Sequence, residues 1–314
     1  MSTLGHLQRY LQPAIRSVLT AILVITGPQV APGQFPPAQN PANIADPLQI
    51  LGRFLGEENE ADRQAIAAIK ISRHEENQVG NKVLKAFLNQ IKQRKIPIQT
   101  DGREVAYLQS LVTQLKPLMQ HSRRYRKISI YVIDTDDTDA KSFPGGSIAV
   151  ARGLIDFCES EAALVGVLGH ELSHIDRAHQ LQMIKRWKFA QRSFQQPSLE
   201  RMMSVSNLMA RSFMRPFRPH EESEADADGA KWAWQLGYDP MQLAHLFKRL
   251  QQRDAGQQDL KPSFLRSHPI HADRFQAIAK LANQWKSKDR QASFYVGIEN
   301  LRKRIPRTKR EFID

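Results

Sequence analysis

The sequence predicts an α+β domain that is mainly helical, with a small sheet beside a cleft. Three observations predict it. Apolar residues recur at helical spacing in Val79, Val83, Phe87 and Ile91, with Leu84 and Leu88 beside them, and again in Val105, Leu108, Val112 and Leu115. Two stretches, Ile128 to Asp134 and Ser147 to Ala151, are short, β-branched and bounded by turn residues, as strands are. A third, Leu164 to His179, belongs to a run that is apolar nearly all round, which marks a buried helix.

At 314 residues with 41% hydrophobic content, the chain is long enough for one large packed domain or two small ones. Cys158 is its single cysteine, which excludes an internal disulfide and a cysteine-held metal. Any metal must therefore be held by His, Asp and Glu.

Taken in order, Arg9 and Arg16 precede a short apolar run from Val18 to Ile25, so residues 1–27 read as a signal peptide or N-terminal anchor. This predicts an extracytoplasmic location, in the periplasm or cell envelope. Prolines 28, 32, 36, 37 and 41 make residues 28–46 an extended linker. The folded domain is expected over 47–290, followed by a basic tail at 291–314.

The net charge of +13, from 45 basic and 32 acidic residues, gathers at Arg123 to Lys127, Lys185 to Arg192 and Arg302 to Arg310. Solvated faces are the simplest account of these clusters, and an anionic membrane surface is a further partner they fit. Nucleic acid is not expected, because no binding module or aromatic-interleaved basic strand accompanies them.

Two amphipathic helices come first, and then the strand Ile128 to Asp134. Pro144-Gly145-Gly146 turns the chain into Ser147-Ile148-Ala149. The plain reading of this segment is an ordinary turn. The functional reading is a sheet edge, Gly145 to Ala149, on which an extended peptide could pair by backbone hydrogen bonds.

His170 and His174 are four apart, which on a helix stacks both rings on one face within reach of one metal ion. Glu171, one residue on, is offset from the rings and is placed to handle water instead of competing for the metal. The pentapeptide alone is a weak signal, but its apolar helix strengthens it. Two histidines and a glutamate buried together need partners, since an unpaired buried polar group costs several kcal/mol.

A basic helical stretch, Gln180 to Phe217, is expected to cover part of the cleft. The acidic run from His220 to Gly229 then opens a helix reaching about Gln235 and ending at Gly237, with a new helix from Asp239-Pro240. Zinc held by two histidines needs a third protein ligand and one open position. Glu222 and Asp226 share a helical face, so Glu222 could bind the metal while Asp226 takes the free N–H of a ligand histidine. The plainer account is that these acids complement a helix N-terminus. Farther on, His268 stands just ahead of Pro269, placed to stabilise an oxyanion or gate the open metal position, and Arg274 could brace the site through a carboxylate.

Four ordered motifs together resemble the zinc metallopeptidases grouped with HtpX, the CAAX prenyl endopeptidases and the BepA-like and Oma-like enzymes. They are Phe143 to Ile155, the His-Glu-Leu-Ser-His helix with its preceding acids, Glu222-Ser-Glu-Ala-Asp226, and Ser267-His-Pro with Arg274. The resemblance covers about residues 70–285 and implies a gluzincin-like fold. It implies one Zn2+ per chain, Glu222 as third ligand, Asp226 in support and a gating histidine at His268. Two departures stand out: Ala140-Lys141-Ser142-Phe143 replaces an Asn-Ala pattern, and Pro219 stands where Ser-Arg is common. The expected function is a zinc-dependent endopeptidase acting on polypeptides of the cell envelope. The alternative is a catalytically silent, zinc-stabilised chaperone or binding protein.

Overall fold

The computed structural model describes residues 60–193, 216–255, 264–269, 274–288 and 293–313. The expected signal segment and linker lie outside the described residues, as does much of the stretch expected to cover the cleft.

The first helices are α1 (Glu60–Ala68) and α2 (Arg73–Gln93), and α2 starts where Ser72 and Glu75 cap each other reciprocally. β1 (Ile98–Gln99), α3 (Arg103–Leu115), β2 (Ser129–Ile133), β3 (Ala140–Phe143) and β4 (Ser147–Ala151) follow. Next come α4 (Arg152–Phe157), α5 (Glu161–Asp176), α6 (His179–Ser193), α7 (Pro219–Gln235) and α8 (Met241–Ala255). The described chain closes with α9 (Phe264–Ser267), α10 (Arg274–Lys288) and α11 (Ile298–Lys303). Among the described residues no helix is long and apolar enough to cross a membrane.

The four strands are ordered β1-β2-β4-β3. β2 and β4 run parallel, with Ile130 opposite Ile148 and Val132 opposite Val150, while β1 and β3 pair antiparallel on the outside. Alternation along the strands divides the two faces. Ile130, Val132, Ile148 and Val150 join the main core with α3 and α5, whereas Ile133, Ala149 and Phe143 pack with Val83, Leu84 and Ile91 of α2. The sheet therefore stands between α2 and the buried α5.

This order corrects the expectation that Gly145 to Ala149 form an open edge. β4 is bonded on both sides, so Ser147, Ile148 and Ala149 have no free backbone edge to offer. The turn is spent too: the Gly145 N–H donates to Glu76 Oε1 at 3.1 Å, and the Gly146 carbonyl accepts from the Ser129 N–H at 2.9 Å. Gly145 and Gly146 both hold positive φ, 85° and 92°, which explains the paired glycines without recourse to a substrate. The outer strand beyond β4 is β3, a strand that the alternation rule misses because all four of its residues are buried.

The segment expected as a basic tail is, where described, part of the domain. Leu301 enters the main core, the Asn300 amide donates to the Ile305 and Arg310 carbonyls at 2.7 Å each, and buried Glu161 accepts the Arg307 N–H at 2.9 Å. Several of its cations are paired with carboxylates, as in Arg304–Glu104 at 3.2 Å and Arg307–Glu311 at 2.5 Å.

Candidate metal centre and active site

Two helices packed unusually close build the site. α5 is buried along its whole length and capped by Ser160, whose hydroxyl accepts the Ala163 N–H at 3.2 Å. It meets α7 through glycines: a Cβ on Gly229 would lie 2.6 Å from the Gly166 carbonyl oxygen and 2.9 Å from the His170 nitrogen. Only glycine allows that approach, and it sets the His170 face of α5 directly against the Glu222 face of α7.

There the side chains converge. The Nε2 atoms of His170 and His174 are 3.0 Å apart, and the Glu222 carboxylate lies 3.5 Å from the first and 3.9 Å from the second. Candidate ligand atoms of His170, His174, Glu222 and His268 all fall within 4.8 Å of one another. All four residues are fully buried, yet both oxygens of Glu222, both oxygens of Glu171 and Nε2 of His268 have no hydrogen-bond partner. Native interiors rarely leave such groups unsatisfied. A cation among the facing nitrogens and carboxylate oxygens accounts for them, so the donor set fits a metal ion.

The surroundings fix the donors. His170 Nδ1 is 2.9 Å from Asp226 Oδ1, and Arg274 clasps the same carboxylate with Nε and Nη2, each at 2.6 Å. Burial pushes the Asp226 carboxyl upward, but Arg274 and His170 outweigh it and hold it below its ordinary value. Burial opposes charge on His170, while Asp226 and Glu222 prevail and raise it to about 9. His174 goes the other way: burial and neighbouring positive groups keep it well below the ordinary imidazole value, so its ring is neutral. Arg274 also donates to the His268 carbonyl at 2.5 Å, so the fourth motif is held together and, through Asp226, tied to the third.

His268 Nε2 stands 3.4 Å from Glu171 Oε1. Burial raises the Glu171 carboxyl, with His170, Ser142 and Lys141 drawing it partly back. A glutamate so placed can accept a proton near neutral pH.

A model of peptidase family M48 matches residues 103–282, more than half of the chain. The chain belongs to peptidase family M48. The matched M48 region runs from the start of α3 into α10 and contains every site residue described above. Among relatives, the beta-barrel assembly-enhancing protease of Escherichia coli K12 is 24% identical over 298 residues, covering 89% of this chain and 55% of that protein. The mitochondrial metalloendopeptidase OMA1 of Schizosaccharomyces pombe is 26% identical over 155 residues, covering 48% of this chain and 46% of its own. The OMA1 of Arabidopsis thaliana is 27% identical over 158 residues, 48% of this chain and 31% of its own. The chain thus spans about half the length of the bacterial relative it matches.

The M48 geometry brings together His170, Glu171, His174, Glu222, Asp226, His268 and Arg274. Glu221 and Asp228 point away as their helical positions require: Glu221 accepts the Arg218 N–H at 2.8 Å, and Asp228 pairs with Arg177 at 2.5 Å. Several contacts of the site are not read from the sequence. Phe217 stacks on His174 at 3.9 Å between ring centres, and Phe264 on His268 at 4.4 Å. Ser267 links the His268 Nδ1, at 2.8 Å, to Asp139 Oδ1, at 2.6 Å, and burial pushes the Asp139 carboxyl up to about 6. His179 stands 2.8 Å from His174.

Proposed function

We propose that this chain is a zinc-dependent endopeptidase acting on misfolded or membrane-associated proteins of the cell envelope. One observation carries the reading: the carboxylates of Glu171 and Glu222 lie fully buried, with no hydrogen-bond partner, beside two facing imidazole nitrogens. His170 Nε2, His174 Nε2 and a Glu222 oxygen would hold the ion. Bound zinc lowers the pKa of water to about 7 and polarises a carbonyl. Glu171 takes the proton of the attacking water on its carboxylate and delivers it to the departing amine nitrogen. Asp226 keeps the His170 proton on Nδ1, leaving the Nε2 lone pair for the ion, and Arg274 fixes Asp226. His268, which has a ligand atom within 4.8 Å of those of His170, His174 and Glu222, would gate the site to water and substrate.

A polypeptide substrate accords with the family and with the named proteases among its relatives. The outer strand β3 beside α5, and not β4, is the edge for an extended peptide. The extracytoplasmic location rests on the pattern of the N-terminal segment. The alternative, a zinc-stabilised binding protein without activity, draws on His268, since four protein ligands would close the site. The bare Glu171 carboxylate argues against it, because a closed structural site has no use for a buried unbonded base. Incubating the full chain with an unfolded polypeptide tests the reading: zinc-dependent cleavage, abolished by a chelator and restored by zinc, is the expected result.

A further inference from the structure

The two histidines of the metal centre are braced differently. His170 rests directly on a carboxylate, Asp226. Among the described residues, His174 meets a carboxylate only on its metal-facing side, Glu222 at 3.9 Å from Nε2; its Nδ1 faces Nδ1 of His179 at 2.8 Å, and His179 Nε2 faces Glu224 Oε2 at 3.1 Å. His179 is nearly enclosed, with 5% of its side chain exposed, while Glu224 is 45% exposed. Glu224 opens onto a cavity of about 520 Å³ and is steadied there by Arg177 at 3.4 Å.

The proton positions follow from the chemistry of the donors. A metal on His174 Nε2 takes the lone pair there, so the ring proton sits on Nδ1. Nδ1 of His179 must then accept, which puts the His179 proton on Nε2, aimed at the Glu224 carboxylate. Every group in the chain His174, His179, Glu224 finds a partner in that arrangement and in no other with a metal on Nε2. A polar second contact of this kind fixes a ligand ring's tautomer and raises its basicity.

We infer that His179, backed by Glu224, is the positioning residue for His174, holding its ring and tautomer ready for the metal as Asp226 does for His170. This rests on the metal site proposed above. A neutral imidazole relayed to a half-exposed carboxylate orients less firmly than a buried aspartate, so His174 is the more easily displaced of the two ligands.

The test is zinc affinity of the full chain, measured by competition with a chromophoric chelator, together with the visible spectrum of the cobalt-loaded protein. His179→Asn retains an acceptor near the Nδ1 position; His179→Leu has similar bulk and no acceptor. The expected result is a 10- to 100-fold weaker affinity with a shifted cobalt spectrum for His179→Leu, and recovery to within a few fold for His179→Asn. Equal loss in both variants, or wild-type affinity in His179→Leu, overturns the inference. Should His179→Leu fail to fold, Glu224→Ala decides, because its half-exposed side chain can be removed without disturbing the core: a loss of threefold or more is expected, and unchanged affinity and spectrum contradict it. Wild-type protein that binds no zinc, or His174→Ala that binds it fully, would instead indict the metal site itself.

Discussion

His170 and Asp226 meet across two helices at 2.9 Å, and the contact exists because glycine at 229 lets α7 lie directly against α5. A buried imidazole, a buried carboxylate and the Arg274 guanidinium form one satisfied network on the far side of the ring from the metal-facing atoms. The Glu222 carboxylate lies on the near side, 3.5 Å from His170 Nε2 and 3.3 Å from Arg274 Nη1.

Replacing Asp226 with Asn keeps the shape of that network and removes its charge. Zinc affinity is expected to fall about 10- to 100-fold, as for other partners of ligand histidines. The variant also takes from the buried Arg274 the closer of its two carboxylate partners, leaving Glu222 at 3.3 Å, at a cost of about 1–3 kcal/mol. Chelator competition checks the first effect and denaturant unfolding of the zinc-free protein the second.

The pH dependence of zinc binding has a definite sign. Without metal, His170 is raised to about 9, so at neutral pH the ion must displace a proton from it. Affinity should rise about tenfold per pH unit up to about 9 and level off above. His174, held well below the ordinary imidazole value, adds no second proton. The same shift stabilises the zinc-free fold below the unfolded imidazole value, and that stabilisation disappears as pH rises through about 9. Affinity measured from about pH 6.5 to about 9.5 brackets the raised value and checks it; a flat profile would contradict it.

Gly229→Ala places a methyl against backbone on both sides, at 2.6 Å from the Gly166 oxygen and 2.9 Å from the His170 nitrogen. Neither atom belongs to a side chain that could swing away, so the helices must separate. The expected loss is about 1–3 kcal/mol, as for other overpacked cores. Weaker zinc binding should accompany it, because His170 and Glu222 sit on opposite sides of the seam. Thermal unfolding with and without zinc measures both.

The site residues are legible in the sequence because helical spacing carries three-dimensional information: His170 with His174, and Glu222 with Asp226, share faces by their separation along the chain alone. The end of α7 and the start of β4 are legible from punctuation, Gly237 after the one and Pro144-Gly-Gly before the other. Strand order is not. β3 holds Lys141 and Ser142 where a strand pattern expects apolar residues, and only tertiary contact makes both buried, which is why the pattern points to β4 as the edge. The segment beyond residue 291 is hidden in a similar way, since its basic residues look solvated until Glu104, Asp156 and Glu311 are seen opposite them. His179 and Asp139 act through one intermediate residue each, and spacing alone shows no such two-step contacts.

The central claim, that Glu171 is the proton-transferring base of a zinc peptidase, is tested most directly by comparing the full-length wild type with Glu171→Gln for zinc content and for cleavage of an unfolded protein. Glutamine fills the same buried space and cannot take a proton from water. The account predicts one zinc in each and cleavage by the wild type only. Substantial cleavage by Glu171→Gln would contradict it.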